Sequence, residues 1–328
     1  MSTPDTTESA GAADPARADS AAATDSAVAA NPGGTGPGDA DRSRQKASAQ
    51  RRPGQRRIGK VLLGLLAWLT GLLFVSPLLW MLLTSLHAET DASTNPPSFF
   101  APLTLESYSN FFGGSSGASP WPYLINSAVA AIVSTLIVLA LSTMAAYSLA
   151  IRRIKRWSDV LFFLLSTKML PMVAGLLPVY LVAQMFGILD TWLLLIIIYS
   201  AMNMPIAVWM MRSFLAEVPI EVLEAAELDG ARLPRVFMKI LLPLTAPGLA
   251  ATALICFIFS WNELLFANVL TSTAAATAPV FLTSFVTSQG LFLSQVCAAS
   301  LIISVPVLVA GIAAQDKLVQ GLSMGAVK

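Results

Sequence analysis

Apolar runs of about twenty residues recur along this chain, each long enough as a helix to cross a bilayer core of about 30 Å. No other feature restricts the fold as tightly, because a backbone in hydrocarbon must satisfy its own N–H and C=O groups. Six such spans can be drawn, at about 61–86, 124–150, 160–186, 192–214, 244–268 and 294–315. Of the 328 residues, 55% are hydrophobic and only 12% charged, with a mean hydropathy of +0.68. A soluble domain would carry about twice that charge fraction. The expected class is an all-α polytopic membrane protein.

The connections sort by charge. Arg51, Arg52, Arg56 and Arg57 precede the first span, and Arg152, Arg153, Lys155 and Arg156 separate the second from the third. Arg212, Arg232, Arg235 and Lys239 lie around the fourth-to-fifth connection, and Lys317 and Lys328 follow the last span. The remaining connections, 87–123, 187–191 and 269–293, hold no Lys or Arg. The positive-inside rule therefore puts both termini in the cytoplasm of a multi-pass plasma or inner membrane protein. The first outer connection is rich in Pro, Gly and aromatic residues and reads as turn chemistry, a candidate surface for an extracytoplasmic partner.

Residues 1–57 are a different material. Up to Ala40 they offer almost nothing to bury and are expected to be a disordered cytoplasmic tail. The segment opens acidic and lacks the apolar core of a signal peptide. The stretch DRSRQKASAQRRPGQRRIGK then sets eight Lys/Arg against the first span as a topological anchor. A net charge of +1 gives nucleic acid no electrostatic handle. Cys256 and Cys297 fall inside apolar spans and read as small packing residues. With a single histidine, His87, no metal centre is expected. No nucleophile–base set appears either, so the chain does not read as an enzyme.

Between the fourth and fifth spans lies EVLEAAELDGARLPRVFMKILLP, residues 221–243. Pro219 suits a first helical position, and Glu221 and Glu224 suit the positive end of a helix dipole. Ala225, Ala226 and Leu228 favour helix, Asp229 follows, and Gly230 is a natural terminator. Pro234 can open a second helix in which Val236, Phe237, Ile240 and Leu241 recur at helical spacing, and Pro243 marks the return to the membrane. An amphipathic helix resting on headgroups is one reading, but such helices favour Lys and Arg. Glu217, Glu221, Glu224, Glu227 and Asp229 would be repelled by an anionic leaflet, while the alanines allow close approach of another surface. Docking into a basic groove of a cytoplasmic protein is the favoured reading.

Glu224-Ala225-Ala226, three residues, Gly230, nine residues, Ile240, one residue and Leu242-Pro243 resemble the EAA signature of ABC-importer permease subunits. PPSFFAPLTLESYSNFF, Asn126-Ser127, TKMLP (167–171), FGILDTW (186–192), Trp261-Asn262-Glu263 and QDKLVQGLSMGAVK are together similar to carbohydrate permeases of the maltose-permease type. The resemblance covers roughly residues 60–328. It implies the type I importer fold, six transmembrane helices with a cytoplasmic coupling helix. The implied divisions are a first helix and outer loop at 58–123, a core permease domain at 124–316 containing the coupling loop 217–243, and a C-terminal tail at 317–328. The implied partners are a second, related permease subunit, two cytoplasmic ABC ATPases, an extracytoplasmic solute-binding protein, a carbohydrate or polyol substrate and membrane lipid, with no nucleic acid. Glu221, Glu224, Ala225, Ala226, Leu228, Asp229 and Gly230 would form the ATPase-coupling element, and Gly321, Gly325 and Lys328 a tail contacting the ATPases. No GxxxxGK[ST] phosphate loop is present, so no cofactor is expected on this chain; ATP with Mg would be hydrolysed by the partner subunits.

For the substrate path or gate the candidates are Lys168, Tyr199, Asn203, Trp261, Asn262 and Glu263. Trp192, Tyr199 and Asn203 share one face of the fourth span, as a sugar path would want, although Trp192 also suits an interfacial belt. Lys168 and Glu263 are charges inside the bilayer and thus functional candidates by default. At helical rise they lie roughly 12 and 29 Å from the inner edge, about 17 Å apart in depth, which argues against a direct pair. Lys168 either snorkels to the inner side or serves a gate or subunit contact; Glu263 is expected near the outer mouth. Pro171 and Pro178 interrupt the third span, lining a path or merely kinking it. An ABC permease for amino acids or another small solute remains the alternative, and a channel or scaffold without an ATPase is the reading from a different class.

Overall fold

The computed structural model describes residues 53–94, 100–113, 119–152, 154–287 and 290–326. Most of the expected N-terminal tail, and Lys328, lie outside them. Contacts divide the chain at Leu69/Thr70. The described part of the first unit is the opening of α1 (Pro53–Ser85), so helix begins at Pro53, inside the segment expected to be tail. Val61, Leu66 and Trp68 stay exposed on it.

In the second unit the main helices are α4 (Trp121–Ala150), α7 (Trp192–Ala216), α11 (Ala246–Trp261) and α14 (Leu293–Ala326). α4 packs along α7, α11 crosses both, and α14 lies on α11. Ala130, Ala131, Val138, Ala146, Ala207 and Ala251 are among the buried residues, and such small side chains let helix backbones approach closely. Gly248 on α11 shows the limit: a Cβ there would collide with the Phe214 ring of α7. Cys256 is buried with Val138 and Ala207, and Cys297 is partly buried.

Among the described residues four helices are long and apolar enough to span a membrane, and six spans result only if two bent pairs count as one span each. Trp157–Met169 meets Met172–Met185 (α6) at 88°. The cause is Pro171, which forces Leu170 out of the helical region, to φ −67° and ψ 132°. Pro178, also expected to interrupt this span, stays inside α6. The second bend, 77°, separates Leu233–Leu244 from α11 around Thr245. Pro247 follows at the helix start, where its missing N–H costs nothing. The span expected at 244–268 is therefore shorter. It ends at Trp261, and α12 (Leu265–Leu270) follows as a separate turn.

The connections free of Lys and Arg are more ordered than their composition suggests. The first holds α2 (Glu89–Ala92) and α3 (Glu106–Gly113) rather than turns alone. Glu89 accepts hydrogen bonds from the backbone N–H groups of Leu293 and Ser294, at 2.6 and 3.1 Å, and so caps α14 across the fold. After α13 (Ala278–Leu282), the last of these connections adds a two-residue antiparallel pair, β1 (Val286–Thr287) with β2 (Gly290–Leu291).

FGILDTW forms the tight link between α6 and α7. Gly187, at φ +65°, closes α6: its N–H reaches the Gln184 carbonyl while that of Ile188 reaches Ala183, a Schellman turn. Asp190 then turns its carboxylate to the loop after α12. It accepts from the N–H groups of Ser272, Thr273, Ala274 and Ala275 and from the Ser272 hydroxyl, at 2.8–3.1 Å. Asn126 donates to the Ala274 and Ala276 carbonyls and accepts from Trp192 Nε1, and Ser127 accepts from the Ala278 N–H. Trp192 is thereby a clamp residue as well as an exposed aromatic.

Burial alone would raise the Asp190 carboxyl, but the bonds from Ser272, Ala274 and Ala275 prevail and hold it well below the usual carboxylate range. A depressed folded value stabilises above the unfolded value, near 4, and that stability is lost as pH falls through the lower folded value. The loop should hold at pH 5 and above and loosen only in stronger acid. Asp190→Ala should cost about 2 kcal/mol of loop attachment and abolish the acid transition. Labelling of a cysteine at Thr273 across a pH series measures both.

Candidate transport cavity and cytoplasmic coupling helix

The break at TKMLP, the middle of α7 and the end of α11 enclose a cavity of about 400 Å³. Lys168, Tyr199, Asn203, Asn262 and Glu263 line it, together with apolar residues such as Met172 and Ile258. Lys168 reaches the wall because the 3₁₀ turn Thr167–Met169 carries it at the bend, and broken spans are where transporters expose polar groups.

The polar wall is built by three helices. Asn203 donates to the Tyr199 carbonyl and to Ser260 Oγ, both at 2.9 Å, and Ser260 meets Ser134 of α4 at 3.2 Å. This ladder ties α4, α7 and α11 together through buried side chains, since Asn203 and Ser260 are only 3% and 4% exposed. Asn203 Oδ1 has no hydrogen-bond partner among the described residues. The Tyr199 hydroxyl lies beside Glu263 and Thr277 without a well-formed bond to either. Two buried polar atoms at a cavity wall leave hydrogen-bonding capacity for water or a solute.

The helical count from the sequence sets Glu263 and Lys168 at different depths, and both line this one cavity. Because α11 ends at Trp261, the chain turns and brings Glu263 onto the same cavity as Lys168. Its carboxylate is buried and engaged by the amides of α12: Phe266 N–H donates to Oε1 at 2.9 Å and Ala267 N–H to Oε2 at 3.0 Å. Lys168 is thus the cavity's cation, while the carboxylate charge is held by a helix N-terminus. Trp261, grouped with them in the sequence, points elsewhere. It is 3% exposed, donates Nε1–H to the Ile303 carbonyl and packs on Ala131 and Ala278, so it is a packing residue.

The second site is α8 (Ile220–Leu228), with Pro219 at its N-cap rather than its first turn. Its C-terminus is a Schellman turn: Gly230, at φ +74°, donates to the Glu227 carbonyl and Ala231 to that of Ala226. The following segment runs through α9 (Leu233–Val236), a π turn (Phe237–Leu241) and α10 (Leu242–Leu244), not one regular helix. Val236 and Leu241 are buried with Leu223, Met211, Leu215 and Ala146, and Phe237 and Ile240 pack on that cluster.

Ala226 belongs to the same cluster. It faces the chain's own core, which corrects the expectation that it seats a partner. The outward face carries Glu221, Glu224, Ala225 and Leu228, spaced i, i+3, i+4 and i+7. Leu228 is 89% exposed, a large apolar side chain at the tip of an acidic helix. Asp229 and Gly230 are exposed beside it. Of the expected tail, Gly321 and Gly325 fall within the continuing helix α14.

A bundle of broken spans around a polar-walled cavity, with an exposed acidic helix following α7, has the architecture of a membrane transport domain. The family model described as binding-protein-dependent transport system inner membrane component matches residues 139–321. The chain is 40% identical over 270 residues to the "Probable ABC transporter permease protein y4oR" of Sinorhizobium fredii, covering 82% of this chain and 96% of that protein. It is 33% identical over 255 residues to the trehalose transport system permease protein SugB of Mycobacterium tuberculosis, covering 77% and 92%. Among solved structures, a bacterial ABC transporter involved in the import of the acidic polysaccharide alginate shares the fold. Its TM-score is 0.65 at 21% identity, over 80% of this chain and 98% of that one. The chain belongs to the binding-protein-dependent transport system inner membrane component family: it is a multi-pass permease subunit of an ABC importer. Membership implies a partner ATPase and a solute-binding protein.

Proposed function

We propose that the chain moves a carbohydrate or polyol into the cell by alternating access, paired with a second, related permease subunit. The reading is supported by the trehalose permease among its relatives and by the polar wall of Tyr199 and Asn203. Both termini face the cytoplasm, because the basic connections all fall on one side. The α8 knob docks into a cleft of an ATPase subunit. ATP, with Mg, is hydrolysed there, and closure of two ATPases re-tilts the spans around the cavity. Gly321, Gly325 and Lys328 extend toward the ATPases on the strength of family resemblance. Lys168 and Asn262 serve the path or gate, with Glu263 ordering α12 at its edge.

The observation that carries the coupling assignment is the outward face of α8, acidic around an exposed Leu228 and fixed by the turn at Gly230. Cysteines at Ala225 and Leu228 should crosslink to a nucleotide-hydrolysing neighbour in native membranes, whereas one at buried Ala226 should react at least about tenfold less. Equal capture from all three positions, or none from any, would overturn the assignment. The solute class is tested on the cognate binding protein by calorimetry: sugar or polyol binding is expected, and amino acid binding without it would move the chain to the alternative class.

A further inference from the structure

A second cavity, of about 500 Å³, opens between the end of α4, the start of α5 (Trp157–Ser166), the end of α7 and the lead into α8. Lys155, Arg156 and Arg212 line it, and among the described residues no acidic side chain does. Three cations gathered without a counter-charge repel one another unless an anion joins them.

Arg212 sharpens the point. Its guanidinium carbon sits 3.5 Å from the centre of the Trp157 ring, which fixes the plane of the group. Its Nε is enclosed yet has no acceptor among the described residues. An enclosed, oriented guanidinium donor with no acceptor is built for one supplied from outside, and planar N–H pairs match phosphate oxygens.

The cavity's rim is apolar. Ile154 and Trp157 are 46% and 37% exposed beside the cations. Charged walls under apolar shoulders fit an amphiphilic anion whose headgroup enters while its chains stay in the bilayer. Val218 and Ile220, at the base of the coupling helix, also line the cavity. An occupant would brace the helix through which force is transmitted.

We propose that this cavity binds a phosphate-bearing anion, the headgroup of an anionic phospholipid or free phosphate, and that the bound anion stiffens the base of α8. Native mass spectrometry of the full chain in detergent, offered phosphatidylglycerol, phosphatidylcholine or inorganic phosphate, tests it. Phosphatidylglycerol should be retained in preference to phosphatidylcholine, and Lys155→Gln and Arg212→Gln should each lower retention about tenfold. Lys155 is exposed, so its variant tests binding without disturbing the fold, and Lys155→Arg should restore it. Lys239→Gln removes an exposed cation outside the cavity and should change nothing. Retention of inorganic phosphate, lost in the same variants, would assign the site to the free anion. Retention of neither anion, or an equal loss in Lys239→Gln, would overturn the proposal.

Discussion

Reversing the charge at Glu224 should abolish coupled uptake while leaving the protein inserted and folded. Glu224 is exposed on α8 and outside the buried cluster that anchors this helix, so Glu224→Lys should disturb the fold little. Its cost falls on the docked partner, where a like-charge contact replaces an attractive one. Truncating a buried charge pair at an interface costs about 2–5 kcal/mol, and a reversal costs at least as much, so docking should weaken about thirtyfold or more. The helix cannot shift to avoid the clash, because Leu223 and Ala226 anchor one face and the Schellman turn fixes its end. Uptake of labelled solute by intact cells should fall at least about tenfold. The same reversal at exposed Glu217, ahead of the helix, should change it by less than about twofold. Full uptake with Glu224→Lys would mean that α8 is not the docking element.

Adding one methyl group at Gly248 should destabilise the bundle as much as any single substitution in it. The new Cβ would overlap Cβ, Cγ and Cδ2 of Phe214, so rotating the ring cannot relieve the conflict. α11 must then move away from α7 where the coupling segment leaves the bundle, at a cost of about 3 kcal/mol. Gly248→Ala should lower the unfolding temperature in detergent. Gly248→Ala with Phe214→Ala should recover much of that loss, because the space the methyl group needs is then empty, and coupling of this kind marks residues in contact. No recovery in the double variant would place the damage elsewhere, in helix propensity or in the membrane environment.

Several functional elements were legible in the sequence because they depend on local chemistry. The α8 knob follows from proline, acids, alanines and a glycine within a dozen residues, and the observed helix differs from that reading by a single position at Pro219. The break at Pro171 was equally local. Which face of α8 is free was not local: Ala225 and Ala226 are alike in the sequence, and only packing against Met211 and Leu223 buries one of them. The Asp190 clamp joins residues more than 80 positions apart, and nothing in FGILDTW announces its partners. That Lys168 and Glu263 line one cavity was not legible either, because the helical count ran straight through Trp261, where the chain turns.

By itself the sequence determined the membrane class, the charge asymmetry of the connections and the short acidic helix α8. Each rests on hydropathy, charge or turn preference summed over neighbouring residues, and none needs a distant contact. Tertiary structure alone decided the cavity lined by both Lys168 and Glu263, the burial of Trp261 and Ala226, and the three cations converging around Arg212. Those depend on which helix faces which. That choice is made by close packing of small residues such as Gly248 against rings such as Phe214, and periodicity along one helix cannot encode its neighbour.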